Sequence, residues 1–182
     1  KKGIKIIPCY YKKDYPEWSD RGDGPGAPVA VHLPNSPVIS TGKRDGSKIR
    51  LPNGNYLEET ASYFVMVETK TGGFTPALIT MKSTQLNVSK KWNSMMKTIQ
   101  IPDGKGGFAI PPMHGVVYNL ASTLQKNDKG SWYGWVVTQD RIMGQDDKAL
   151  YLSAKEFAGN VSKGSVQTKA DVEEKVSDST PY

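Results

Sequence analysis

Cysteine and histidine are almost missing from this chain: Cys9, His32 and His114 are the only ones in 182 residues. A lone thiol excludes an internal disulfide and fits a reducing compartment, and so few soft ligands exclude a zinc site built on Cys and His. No apolar run approaches the roughly 20 residues that a membrane-crossing helix needs. No secretory leader is legible at the start, so no membrane partner and a cytoplasmic location are expected. Nucleotide and hydrolase motifs are missing too. Gly42-Lys43 lacks the glycine five positions upstream that a P-loop requires, and Ser131 is not set in a Gly-x-Ser-x-Gly elbow. The acid pairs Glu58-Glu59 and Asp146-Asp147 are sequence neighbours, which seldom converge on one substrate. Arg21-Gly22-Asp23 and the triplets at Asn87 and Asn160 are short strings that recur by chance. With no nucleophile, base and metal set in view, the expectation is a binding protein, not an enzyme, with no metal and no cofactor.

What is present is glycine, proline, aromatic rings and positive charge. Eighteen Gly and 12 Pro imply many turns, while 37% hydrophobic residues and nine Tyr suffice for a packed core. The length reads as one domain over residues 1–164 with an acidic, disordered tail over 165–182. Net charge is +6. The tail sets Lys169 and Lys175 against Asp171, Glu173, Glu174 and Asp178, so the body is more basic than the whole. A basic body favours a polyanionic partner through counterion release.

Patterning predicts one or two short strands over Ile4–Ile7 and Tyr10-Tyr11, then a strand at Val29–Leu33 between Pro28 and Pro34. Residues 40–50 read as a mobile basic loop, and Asn53-Gly54 as a turn. Tyr63–Glu68 and Ala77–Met81 make a hairpin around Thr71-Gly72-Gly73. Ser83 or Thr84 is expected to cap a helix reaching Ile99, with Val88, Trp92, Met95, Met96 and Ile99 as its apolar stripe. Pro102–Pro112 reads as a connection. A second hairpin joins Val116–Leu120 to Trp132–Val137, and a last helix spans Asp147–Val161, turning Leu150, Ala154, Phe157 and Val161 inward and closing at Gly164. The expected fold is mainly β (α+β). Its strand and helix order is that of an oligonucleotide-binding (OB) five-stranded barrel with a helix between strands 3 and 4, followed by the C-terminal helix and tail.

The candidate binding residues follow from ring and charge placement. Alternation puts Tyr133 and Trp135 on one strand face and Trp132 with Gly134 on the other, and a small domain cannot easily bury both. Flat rings beside lysines suit unpaired bases, since stacking and phosphate neutralisation act at one place. Trp132, Tyr133 and Trp135 are the candidate stacking residues, with Tyr10, Tyr11 and Trp18 as a second platform. Lys12, Lys13, Lys43, Arg44, Lys48, Arg50, Lys126 and Lys129 are the candidate phosphate contacts. A shared groove for these groups is the expectation.

Three stretches carry a family likeness. These are Leu51-Pro52-Asn53-Gly54-Asn55-Tyr56 with Glu59-Thr60, Met81-Lys82-Ser83-Thr84-Gln85-Leu86 with Lys90-Lys91-Trp92, and Asn127-Asp128-Lys129-Gly130-Ser131-Trp132-Tyr133-Gly134-Trp135. Across residues 5–164 the chain resembles a family of small tailed-phage proteins associated with single-stranded DNA binding in replication or recombination. The resemblance implies an OB-like fold in a phage-infected bacterial host and assigns no site residue. The leading expectation is therefore single-stranded DNA as partner, bound without strong sequence preference, with the acidic tail available to replication proteins and self-association left open. A virion structural or assembly protein, and a regulator binding an acidic host protein, are the alternatives.

Overall fold

The computed structural model describes residues 3–20, 27–128 and 130–166; the acidic tail and Lys129 fall outside or almost outside them. The elements in chain order are β1 (Ile4–Trp18), β2 (Ala30–His32), α1 (Val38–Thr41), β3 (Lys43–Asp45), β4 (Lys48–Arg50), β5 (Tyr56–Glu58), β6 (Thr60–Glu68) and β7 (Phe74–Lys82). Then follow α2 (Leu86–Thr98), β8 (Ile101–Pro102), β9 (Phe108–Ala109), β10 (Val116–Asn127), β11 (Gly130–Ile142) and α3 (Lys148–Ser162).

β1 organises the sheet. Its first half pairs with β10 on one side and β6 on the other, and its last residues pair with β2 and β5. The long strands run antiparallel in the order β7-β6-β1-β10-β11, and β5-β4-β3 extend the sheet from the far end of β1. Prolines explain why β1 reads as shorter pieces. Pro8 sits where the register with β6 shifts, and Pro16 lies where β1 leaves β6 for the short β2, positions that tolerate a missing N–H.

The sheet curls as a half-barrel with helices on both faces. α2 covers the inner face, burying Trp92 and, just past its end, Ile99 against Ile6, Tyr63, Val65, Met81, Val116 and Tyr118. The Trp92 ring stacks on Tyr63 with centroids 4.3 Å apart and meets Tyr118 edge-on at 5.6 Å. α3 covers the outer face near the start of β1, seating Ala154, Leu150 and Phe157 on Ile7, Cys9, Met66 and Val117. It ends at Gly164, whose positive φ of 71° turns the chain so that the Ser165 N–H reaches the Asn160 carbonyl at 3.0 Å. Tyr15, Ile49, Leu51 and Leu57 form a third core under the small sheet, roofed by Val38 and Ile39.

Three expectations need correction. Residues 40–50 are not a loop: α1 leads into the β3–β4 hairpin, whose strands are too short and polar to show a period of two. Neither Ser83 nor Thr84 caps α2 through its side chain; Ser83–Gln85 form a 3₁₀ turn in which Ser83 holds φ of 51°. A closed five-stranded barrel is also not what the chain builds. α2 does fall between the third and fourth long strands, but among the described residues no ladder joins β7 to β11, and α2 packs against both.

Candidate nucleic-acid interface

The β10–β11 hairpin keeps continuous register from Tyr118 opposite Gln139 to Asn127 opposite Gly130. β1 pairs β10 only through Tyr118–Leu120, so the distal part stands past the sheet as a two-stranded ribbon. Alternation then separates its side chains. Val137 and Leu120 point into the core under α2, and the same face carries Trp135 opposite Ser122, Tyr133 opposite Leu124, and Lys126 at the tip. Tyr133 is 67% exposed, Trp135 38% and Leu124 59%. Two rings two residues apart, an exposed leucine and a lysine thus share one uncovered face.

The opposite face is occupied. Gly134 is buried, and a Cβ there would stand 2.6 Å from the amide nitrogens of both Gln85 and Gln125. Gln85 uses its Oε1 to accept the Trp135 backbone N–H at 3.0 Å, which closes part of the outer edge of β11. Trp132 is partly buried on this side, and its indole nitrogen has no partner among the described residues.

The small sheet gathers a second set. Trp18 opposes Tyr56, Tyr56 opposes Arg50, and Arg50 opposes Lys43, so one cross-strand row runs over four strands. Lys48 places its ammonium 3.5 Å from the Tyr56 ring centroid and Arg50 its guanidinium 5.5 Å from it. Lys82, paired to Glu58 at 2.9 Å, lies 5.9 Å from the Trp18 ring. Arg50 is bridged to Asp20 at 3.2 Å and Asp45 at 3.5 Å, and Asp20 in particular holds its pKa up. Arg44 points to the other face of this sheet, while Lys43 and Arg44 make no ion pair among the described residues.

The segment after β7 connects the two sets: Lys82 lies beside Trp18 and Glu58, and Gln85, three residues on, accepts the Trp135 N–H. Tyr10, Tyr11 and Trp18 do not form one platform. Tyr10 packs edge-on against Phe64 at 6.1 Å, and Tyr11, one residue on and facing the other way, tilts against Tyr63 at 4.9 Å. Lys12 is paired with Asp14 at 3.2 Å and Lys13 with Glu59 at 2.7 Å, a hydrogen bond that raises the pKa of Lys13. Lys129 lies outside the described residues. The structure adds Leu124, Tyr56 and Lys82, which only cross-strand register could have linked to the other residues.

Beside the small sheet, Glu17 anchors its neighbours. Its carboxylate accepts from Asn55 at 2.6 Å and Asn53 at 3.1 Å, and its other oxygen stands 2.7 Å from His32 Nε2. The Asn55 bond, with His32 and Asn53 behind it, holds Glu17 below the usual carboxylate range. The group ties β1, β2 and the β4–β5 turn together.

The chain matches the Pam3 phage gp34-like protein family over residues 1–167. The chain belongs to that family. Its phage character accords with the resemblance, and the match assigns no ligand and no activity. No curated protein and no solved structure matches the chain.

Proposed function

We propose that this phage protein binds single-stranded DNA, without chemistry and with little sequence preference, through the projecting β10–β11 hairpin. The supporting observation is the exposed face that sets Tyr133 and Trp135 two residues apart beside Leu124 and Lys126. Each base stacked there contributes roughly 1–3 kcal/mol, and any base serves because every base has a π-face. The Lys43, Lys48 and Arg50 row is a second, mainly electrostatic contact for a longer strand. The half-barrel with α2 between its third and fourth long strands supports reading the fold as an open relative of the OB barrel. Replication or recombination in the infected cell is the setting such binding serves, and the acidic tail would engage replication proteins.

A virion assembly role is the second reading. It draws on the β8–β9 ribbon, a separate two-stranded sheet that leaves Phe108 71% and Ile110 58% exposed. Titrating tryptophan emission with single- and double-stranded oligonucleotides of one length tests the proposal. Quenching by the single strand at lower concentration supports it. No response to either, with light scattering showing a stable oligomer, would favour assembly.

A further inference from the structure

The strand β2 sits in the middle of a stretch without charge. From Gly24 to Gly42 the sequence carries no Asp, Glu, Lys or Arg, in a chain that is 23% charged. Among the described residues β2 pairs with β1 alone, which leaves its other edge open. Alternation sorts the side chains along Val29–Leu33. His32 turns to Glu17, its Nε2 2.7 Å from the carboxylate. Val31, opposite Pro16, takes the other face, and Val29 and Leu33 flank it at two-residue spacing. Val29 is 57% exposed, Val31 48% and Leu33 66%.

We propose that β2 pairs edge to edge with β2 of a second copy of this chain, antiparallel and about a two-fold axis at Val31. That register sets Val31 against its own counterpart, and Val29 of each copy against Leu33 of the other. All the outward apolar side chains of the strand then meet an apolar neighbour on one face of the joined sheet, the arrangement in which cross-strand pairs stabilise. The inference goes beyond single-strand binding and does not depend on it.

Charge selects a second copy as the occupant. Each chain carries a net charge of +6, so two copies repel, and they meet at least cost where neither strand brings a charge. The strand itself offers a charged partner no ion pair. Antiparallel pairing of one strand with its copy is also self-complementary, as a two-fold interface must be. Pro28 and Pro34 lack an N–H and bound the stretch, so the pairing closes as a dimer and does not propagate. The edge is fixed before a partner arrives. The Val29 N–H reaches the Glu17 carbonyl at 2.7 Å, and the Glu17–His32 contact holds the strand from its inner face.

Sedimentation of the full protein over a concentration series tests this. The wild-type mass is expected to rise from 20.0 kDa toward twice that value between about 1 μM and about 500 μM, the range a short interface supports. Val31→Lys sets two ammonium groups face to face on the axis and weakens association by at least about tenfold. Val29→Glu and Leu33→Lys each weaken it alone, while Val29→Glu/Leu33→Lys brings opposite charges together across the axis and restores it to within about threefold of wild type. These variants stand in for Val31→Lys should that one fail to fold, and an unchanged urea midpoint in dilute solution identifies those that fold. A wild-type mass of one chain throughout, or association that Val31→Lys leaves unchanged, overturns the proposal. A double variant as weak as either single one overturns the register and the strand pairing with it. Oligonucleotide titration of the same samples reports separately on the hairpin, whose failure to bind would leave this dimer standing.

Discussion

Gly134 carries no side chain where the amide ends of Gln85 and Gln125 close over it, and Gln85 at the same time accepts the Trp135 N–H. A methyl group at 134 displaces both amides, which are the mobile ends of long side chains, so the cost is the edge hydrogen bond and not a backbone clash. Gly134→Ala is expected to lower unfolding free energy by about 1 kcal/mol, read as a drop in urea midpoint at unchanged slope. Trp92 makes the opposite case, a large ring 1% exposed between Tyr63 and Tyr118. Trp92→Ala should cost about 3–5 kcal/mol because the cavity cannot close between two fixed strands. A melting temperature within a few degrees of wild type would refute that placement. Trp92 was legible from its spacing with Val88 and Ile99. Gly134 was not, because its partner Gln85 lies far upstream and only the fold brings the two together.

Among the elements, those long enough to show a period were legible: the β6–β7 and β10–β11 hairpins, α2 and α3. β3, β4 and β5, three residues each, were not. They carry one inward apolar residue apiece at most, so alternation has nothing to repeat, and register with β1 defines them. The Glu17 cluster is what attaches β2 and the β4–β5 turn to this end of β1. Because the native pKa of Glu17 lies below its ordinary 4.5, the unfolded chain binds the proton more readily. Its stabilisation is complete above the ordinary value and is lost as pH falls through the native one. Glu17→Gln should therefore flatten the decline in urea midpoint on going from about pH 6 to about pH 3. An acid limb identical to wild type would show that the carboxylate is not coupled to folding.

For the whole molecule, the rings and the charges were legible in the sequence but the contacts among them were not. Alternation along β11 correctly split Trp132 from Tyr133 and Trp135, whereas the row of Trp18, Tyr56 and Arg50 exists only through cross-strand register. Lys12, Lys13 and Arg50 are engaged by carboxylates as well. Fewer of the predicted cations are therefore left for a bound strand. With about three phosphates neutralised, log affinity should fall with log salt at a slope of roughly −2, and Lys43→Gln/Lys48→Gln should make it shallower by about 1. The same slope in that variant would place the phosphate contacts elsewhere.

Stacking on the hairpin is tested most directly by binding a labelled single-stranded oligonucleotide to wild type and to Tyr133→Ala/Trp135→Ala at several salt concentrations. Both positions are solvent-facing, so the variant keeps its fold. Two lost stacks predict affinity weaker by at least about thirtyfold with the salt slope preserved. Affinity within about twofold of wild type at every salt concentration would contradict a role for this face in holding bases.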